Sequence, residues 1–158
     1  MFTDKISLDR IAKLHPAIRD EAHDIIQSLW ALSIQVRVTQ GLRTWAEQDA
    51  LYNQGRTTKG DIVTKARGGY SYHNYGLALD FCLLTPNGAS WSETIDTNHD
   101  NKADWAQVVN AFLADGWEWG DRGYVDKPHV QKVFGKTPND LVFLSHRGAI
   151  QYPDLSKP

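Results

Sequence analysis

The chain has 158 residues, 41% hydrophobic and 23% charged, so we expect one globular domain over residues 1–158. Its 17 lysines and arginines against 19 aspartates and glutamates give a net charge of −2, which argues against nucleic-acid binding as the main function. A single cysteine, Cys82, excludes an internal disulfide. No apolar run approaches the ~20 residues that cross a bilayer, and residues 1–16 lack the apolar centre of a signal peptide. We therefore expect a protein made in the cytoplasm, with no membrane insertion and no ordinary export signal.

Apolar spacing near the start of the chain predicts two helices and a strand. A short helix is expected after Ser7, and a longer one from about Pro16, since proline suits the first helical turn. Apolar residues recur in the longer helix at intervals of three and four, which predicts one buried face: Ile18, Ala22, Ile25, Ile26 and Leu29. Alternating apolar and polar residues over 34–39 then predict a half-buried strand.

A capping box marks the third helix. Thr44 is followed three residues later by Glu47, which predicts a helix over residues 45–53 that Gly55 ends. Residues 55–72 are then rich in glycine and polar side chains. A loop of this length in a compact domain is often functional.

The centre of the chain alternates between apolar and irregular segments. Residues 77–84 form an apolar strand interrupted by one charge, Asp80, and residues 85–103 form a second long loop. Apolar spacing over residues 105–113 predicts an amphipathic helix that Gly116 ends.

Short strands are expected at residues 117–119 and 129–133, followed by a last helix that begins at Thr137 and Pro138 and closes at Gly148. The mixture of helices and short strands lacks the regular alternation of parallel βαβ units. We therefore predict an α+β fold with helices packed on a small antiparallel sheet.

A group of ionisable residues suggests a metal site. His73 and Asp80 are seven residues apart, and a carboxylate inside an apolar strand is costly unless it is paired or bound to metal. With His129 they form a set of two histidines and one carboxylate, which leaves a fourth zinc position open for water. Asp126, three residues before His129, is suited to be a general base, although it could equally be a turn residue.

Taken singly, each candidate ligand has an ordinary structural alternative. His73 could be a loop histidine that bonds the backbone, and His129 could lie on the surface of a sheet. Asp80 could form a buried ion pair with Arg37 or Arg43. Spacing alone does not decide between these interpretations and a metal site.

The whole string Ser71-Tyr-His-Asn-Tyr-Gly-Leu-Ala-Leu-Asp80 resembles the zinc motif of the D-alanyl-D-alanine carboxypeptidase superfamily. The resemblance is closer to one branch, the L-alanyl-D-glutamate endopeptidases of phage endolysins and bacterial cell-wall hydrolases. Further blocks match in the family's order between about residues 20 and 135, namely 40–48, 60–69, 100–105, 116–120 and 126–129. Two departures, a shorter run over 119–124 and Val130 where phenylalanine is usual, bear on substrate preference.

The resemblance implies the fold of D-alanyl-D-alanine carboxypeptidases and hedgehog-type zinc peptidases, with one zinc ion held by His73, Asp80 and His129. It implies that Asp126 is the catalytic acid or base, and that Arg43 and Ser71 contact substrate. Arg43 could otherwise be a surface charge beside a helix, and Ser71 a loop hydroxyl that caps nearby amides.

The implied activity is hydrolysis of the L-Ala–D-Glu bond in peptidoglycan stem peptides by a phage or prophage endolysin. Such an enzyme would be a monomeric catalytic domain without a separate wall-binding domain, released through a holin or by lysis. The alternatives are a D,D-carboxypeptidase on the same scaffold and a non-catalytic wall-binding module. A cytoplasmic recycling enzyme and an injected effector also remain open.

The second long loop carries a further candidate metal site. Oxygen-bearing residues occupy positions 1, 3, 5, 7 and 9 of a calcium-loop pattern: Asp96, Asn98, Asp100, Lys102 through its carbonyl, and Asp104. Asn101 stands where glycine is usual and tolerates a left-handed turn, whereas Gln107 replaces the usual glutamate at position 12. The alternative is a polar loop in which Asp104 caps the following helix.

Cys82 admits a cysteine-peptidase interpretation with His73 or His129. It follows Asp80 by two residues, so both side chains face the same side of a strand. Its apolar neighbours favour a small buried hydrophobic residue instead. Most of a group of tryptophans are interpreted as core residues, with one or two at a groove: Trp91, Trp105, Trp117 and Trp119.

Overall fold

A computed structural model describes residues 1–120 and 126–158, so part of the shortened run after Trp119 lies outside the described residues. The helices are α1 (Lys5–Ile11), α2 (Pro16–Ala31), α3 (Trp45–Asn53), α4 (Asp104–Ala114) and α5 (Pro138–Leu144). The strands are β1 (Val36–Gln40), β2 (Ala78–Thr85), β3 (Gly88–Ser90), β4 (Glu118–Trp119) and β5 (His129–Gln131). A 3-10 turn over Tyr72–Tyr75 precedes β2.

The strands form one antiparallel sheet in the order β1-β2-β5-β4, with β3 paired to the end of β2. Strand β2 is central, and its Asp80 is directly opposite His129 of β5 and Gln40 of β1. The predicted α+β fold with a small antiparallel sheet is confirmed.

Helices α2 and α4 bury their apolar faces against this sheet. The predicted buried face of α2 is confirmed, because all five of its residues lie in the core: Ile18, Ala22, Ile25, Ile26 and Leu29. Phe81 of β2 stacks at a tilt on Trp105 of α4, with ring centroids 4.5 Å apart. No helix in residues 1–120 or 126–158 is both long and apolar enough to cross a membrane.

Several predicted element boundaries differ from the structure, most by one or two residues. Helix α1 begins before Ser7, because Asp4 caps it by accepting from the Ser7 N–H and is also paired with Arg37. Residues 88–90 form β3 and not loop, since they fold back on β2 as a hairpin. Helix α5 ends at Leu144, before the predicted stop at Gly148.

Gly76 turns the chain from the 3-10 turn into β2. Its φ is +67°, and an added Cβ would lie 2.6 Å from the backbone nitrogen of His15. That nitrogen donates a 2.9 Å hydrogen bond to the Gly76 carbonyl, so the two backbones are held in contact.

Gly76→Ala is therefore expected to lower the free energy of unfolding by at least about 2 kcal/mol, from left-handed strain and the overlap together. Gly116→Ala is the matched control. Gly116 also has a positive φ (+78°), but a Cβ added there would meet no other atom within 4 Å. Urea unfolding of the two variants measures their free energies of unfolding. Equal decreases in the two variants would contradict a steric overlap between residue 76 and the backbone of His15.

Candidate metal centre and active-site cleft

Three separate elements bring the predicted zinc ligands together. His73 lies on the 3-10 turn, Asp80 on β2, and His129 begins β5. His73 Nε2 is 3.2 Å from His129 Nδ1 and 3.3 Å from Asp80 Oδ1, and His129 Nδ1 is 3.1 Å from Asp80 Oδ1. Within the described part of the chain, no other group of three such residues has its ligand atoms within 4.8 Å of one another.

Hydrogen bonds behind the histidines determine which ring nitrogens face the centre without a proton. His73 Nδ1 donates to the Gly41 carbonyl at 2.8 Å, which leaves Nε2 as an acceptor. Gln131 donates its amide N–H to the Glu118 carboxylate, so its Oε1 accepts from His129 Nε2 at 2.8 Å. His129 Nδ1 is then also an acceptor, and two nitrogen lone pairs and a carboxylate oxygen point at one place.

This donor set fits zinc. A tetrahedral zinc ion with bonds of ~2.0–2.1 Å requires ligand atoms about 3.3 Å apart, and the three observed separations are 3.1–3.3 Å. Both histidines are buried, whereas Asp80 is partly accessible from the cleft. Outer hydrogen bonds from histidine to a carbonyl or amide are typical of metal-binding imidazoles.

The charges at the centre are strongly coupled. Burial alone would raise the pKa of Asp80, but when His129 and His73 carry protons towards the centre in place of a metal ion, their hydrogen bonds and charge hold this pKa well below its usual range. Burial alone would lower the pKa of His129, but the hydrogen bond and charge of Asp80 raise it. The Asp80 carboxylate therefore requires a positive charge beside it, and either a protonated histidine or a metal ion can supply that charge.

The arginines do not pair with Asp80 in the way the alternative interpretation requires. Arg37 Nη2 lies 2.6 Å from Asp4 Oδ1, and Arg43 Nη1 donates to Gln48 Oε1 at 2.8 Å. The alternative of an Asp80–Arg37 pair is therefore not made, because Arg37 pairs with Asp4, the cap of α1. Burial lowers the pKa of Arg43, while the charge of Asp80 opposes that shift from across the cleft.

All six residues predicted for the zinc and substrate site line one cleft of about 300 Å³: Arg43, Ser71, His73, Asp80, Asp126 and His129. Asp126 is exposed, and its carbonyl accepts from the His129 N–H at 3.2 Å, so it also forms the predicted turn. Its charge acts on both Arg43 and His129, because it contributes to the pKa of each.

Gln48 is a site residue that sequence reasoning missed. It is the buried residue of α3, its Oε1 accepts from Arg43, and its Nε2 donates to the Ala66 carbonyl at 2.8 Å. It therefore links the Arg43 side chain to the loop before the 3-10 turn. Its one sequence signal is a polar residue one helical turn after the capping Thr44, which is too common to single it out.

Gln48→Leu is expected to lower the free energy of unfolding by about 1–3 kcal/mol, because Arg43 and the Ala66 carbonyl each lose a buried partner. Gln48→Glu is the paired variant, since it keeps an acceptor for Arg43 and removes only the bond to Ala66. Thermal unfolding and steady-state kinetics of both variants check this. Equal stability of Gln48→Leu and wild type would contradict the positioning role.

Asn74 was also missed, and it joins three segments beneath the cleft. Its Oδ1 accepts from the Gly69 and Ser71 N–H groups, and its Nδ2 donates to the Arg43 carbonyl at 3.0 Å. The side chain is buried with all of these bonds satisfied. The backbone positions of Arg43 and Ser71 are therefore set by the side-chain amide of Asn74, the residue that follows the candidate ligand His73.

The residues of the candidate calcium loop mostly bond their own backbone. Asp96 accepts from the Asp100 and Asn101 N–H groups, and Asp100 accepts from Lys102. Asn98 Nδ2 donates to the Leu32 carbonyl at 3.0 Å, and its Oδ1 accepts from Asp100. Asn101 adopts the left-handed conformation (φ +66°) that the calcium-loop pattern requires at this position.

Asp104 is the most unusual member of this loop. It is fully buried, its Oδ2 accepts from the N–H and hydroxyl of Thr97, and its Oδ1 has no hydrogen-bond partner. It is the first residue of α4 and not its cap, because Ala103 holds the capping position.

The thiol of Cys82 is unsuited to be a nucleophile. It is fully buried opposite Arg37, and burial raises its pKa. Of the tryptophans, Trp105 and Trp117 are buried in the core, whereas Trp91 and Trp119 are exposed.

Comparison with known proteins agrees with this geometry. Residues 64–132 match a family model described as D-alanyl-D-alanine carboxypeptidase. Over 123 residues the chain is 44% identical to the peptidoglycan L-alanyl-D-glutamate endopeptidase CwlK of Bacillus subtilis (strain 168), covering 76% of this chain and 74% of that protein. Its fold is similar to the crystal structure of the Serratia marcescens L-Ala D-Glu endopeptidase ChiX, with a TM-score of 0.56 and 20% identity over 84% of this chain and 90% of the other.

Proposed function

Because the chain belongs to the D-alanyl-D-alanine carboxypeptidase family of peptidases, we propose that it is a zinc-dependent endopeptidase that hydrolyses the L-Ala–D-Glu bond of peptidoglycan stem peptides. The observation that carries the proposal is the convergence of His73, Asp80 and His129 in one cleft with Asp126 and Arg43. The bond specificity is supported by the 44% identity to an L-alanyl-D-glutamate endopeptidase.

Each residue of the cleft has a distinct part in this reaction. A zinc ion held by His73, Asp80 and His129 would polarise the scissile carbonyl and make water acidic enough to attack near neutral pH. Asp126 accepts the proton of the attacking water and returns it to the leaving amine of D-Glu. Its exposed position at the cleft lets a peptide bond lie between it and the ligands.

Arg43 binds a negatively charged oxygen of the substrate, either the D-Glu carboxylate or the developing oxyanion. A guanidinium is planar and always charged, so it suits both. With one of its nitrogens held by Gln48, the orientation of the group is set before substrate arrives. Ser71 lines the same cleft next to the 3-10 turn and contributes a hydroxyl to substrate binding.

Digestion of purified muropeptides tests the proposal. The zinc-loaded protein is expected to release peptides that begin with D-Glu and to leave L-Ala on the muramic acid, which mass spectrometry identifies. Release of free D-Ala would instead indicate a D,D-carboxypeptidase. Binding to sacculi without any cleavage product would indicate a non-catalytic wall-binding module.

The biological setting is a further part of the proposal. We expect a monomeric single-domain phage or prophage endolysin that reaches the wall through a holin or after lysis. Expression with and without a co-expressed holin, followed by culture turbidity, checks the release route. Size-exclusion chromatography with light scattering checks the monomer.

Calcium binding at residues 96–104 stays a prediction, supported by the unpartnered Asp104 Oδ1 and the left-handed Asn101. With no glutamate at position 12, a dissociation constant of about 10⁻⁴–10⁻³ M is expected. Millimolar calcium should therefore raise the melting temperature or the activity, and Asp100→Ala should abolish this effect while zinc stays bound. If calorimetry shows no binding heat and the melting temperature does not change up to several millimolar calcium, residues 96–104 are only a loop that flanks the helix.

A further inference from the structure

The loop between α3 and the 3-10 turn is positively charged in an otherwise acidic molecule. Residues 54–71 contain four basic side chains and one acidic side chain, whereas the whole chain has a net charge of −2. The basic residues are Arg56, Lys59, Lys65 and Arg67, and all four are exposed. The zinc chemistry proposed above uses none of them.

Two of these charges are held on one aromatic ring. The guanidinium carbon of Arg56 is 4.0 Å from the centre of the Tyr52 ring, and that of Arg67 is 4.9 Å from it. Arg56 also donates to the carbonyls of Tyr52 and Thr64. Arg56 is therefore oriented by the ring and the backbone, and Arg67 by the ring, so ordering them on binding costs less than for free side chains.

Local acidic groups offset the charge of this arginine pair only in part. Asp49 is close enough to contribute to the pKa of Arg67, but its Oδ1 accepts a 2.7 Å hydrogen bond from the Gly68 N–H. An oxyanion bound beside the pair would be attracted by both charges and would accept charge-assisted hydrogen bonds.

The arginine pair adjoins the rim of the cleft. Thr64, whose carbonyl holds Arg56, lines the cleft, as do Leu51 and Ala66, the chain neighbours of Tyr52 and Arg67. Gln48 joins this wall to Arg43 through the Ala66 carbonyl. A peptide that leaves the cleft over this wall would pass from Arg43 to the arginine pair.

We propose that Arg56 and Arg67, stacked on Tyr52, form an oxyanion subsite that binds a substrate carboxylate beyond the residue held by Arg43. The proposal rests on the stem-peptide specificity proposed above. In a stem peptide the next residue after D-Glu carries such a group when it is meso-diaminopimelate with a free side-chain carboxylate. The enzyme would then prefer stem peptides with that carboxylate free over those in which it is amidated.

A pair of tetrapeptide substrates that differ only in amidation of this carboxylate tests the subsite. The wild-type kcat/KM is expected to be about tenfold higher for the free carboxylate, mostly through KM. Arg56→Gln/Arg67→Gln should reduce this ratio to about one. Lys5→Gln/Lys13→Gln, which removes the same charge from the α1 region, is the control and should keep the wild-type ratio.

The outcomes separate the subsite from the underlying activity. Cleavage of neither peptide by wild type would overturn the proposed function itself. Cleavage of both with the same ratio in wild type and the double arginine variant would overturn the carboxylate subsite alone. A third comparison uses sacculi that retain phosphate-bearing wall polymers and sacculi from which these polymers have been removed. If the double arginine variant loses affinity only for the first kind, the arginines bind a polymer phosphate, and the stem-peptide carboxylate is excluded as their ligand.

Discussion

His129→Ala is expected to remove zinc from the protein and to lower kcat/KM on stem peptides by on the order of 10³-fold or more. His129 would supply one of three candidate ligand atoms that lie 3.1–3.3 Å apart, and it is directly opposite Asp80 on the paired strand. His73→Ala and Asp80→Ala should have the same effect. Elemental analysis of the dialysed proteins together with steady-state kinetics measures both quantities.

Two further variants make this result specific. Gln131→Leu removes the acceptor behind His129 together with the bond to Glu118, so zinc affinity should fall about 10–100-fold without being lost. His23→Ala removes a partly buried histidine of α2 that lies outside the cleft and should leave both zinc and activity unchanged. Full zinc content in His129→Ala would contradict the ligand assignment, and a Gln131→Leu protein with wild-type affinity would contradict the outer hydrogen bond.

Local sequence signals predicted the elements that depend on short-range chemistry. The capping box of Thr44 and Glu47 marked α3 correctly, because both reciprocal hydrogen bonds are made within four residues. The buried face of α2 was predicted for the same reason. The start of α1 was wrong because its cap, Asp4, is stabilised by Arg37 from a distant strand.

The sequence predicted the candidate metal ligands of the site, its charged residues and Ser71. His73, Asp80 and His129 were identified because the segments around them resemble the motifs of a known family, and the structure brings them together. Gln48 and Asn74 are not visible, since an amide has the same sequence signature on a surface as in a buried network.

The outer shell of the site shows the same limit. The Gly41 carbonyl, which orients His73, carries no side-chain signal at all. The chain from Glu118 through Gln131 to His129 crosses two strands and exists only once their register is set. Predicting these hydrogen bonds requires knowing which strands pair and in which register. The short sequences of β4 and β5 do not show this.

Asp126→Asn is expected to lower kcat by about 10²–10⁴-fold while zinc content and melting temperature stay at wild-type values. The amide keeps the size of the side chain and the backbone bond to His129, but it cannot accept a proton from water. A near-normal turnover on stem peptides would reduce Asp126 to a turn residue. Cys82→Ala is the contrasting variant, because the buried thiol is expected to have no part in the reaction. If that variant kept its fold and zinc but lost all activity, the nucleophile would be the thiol and not water.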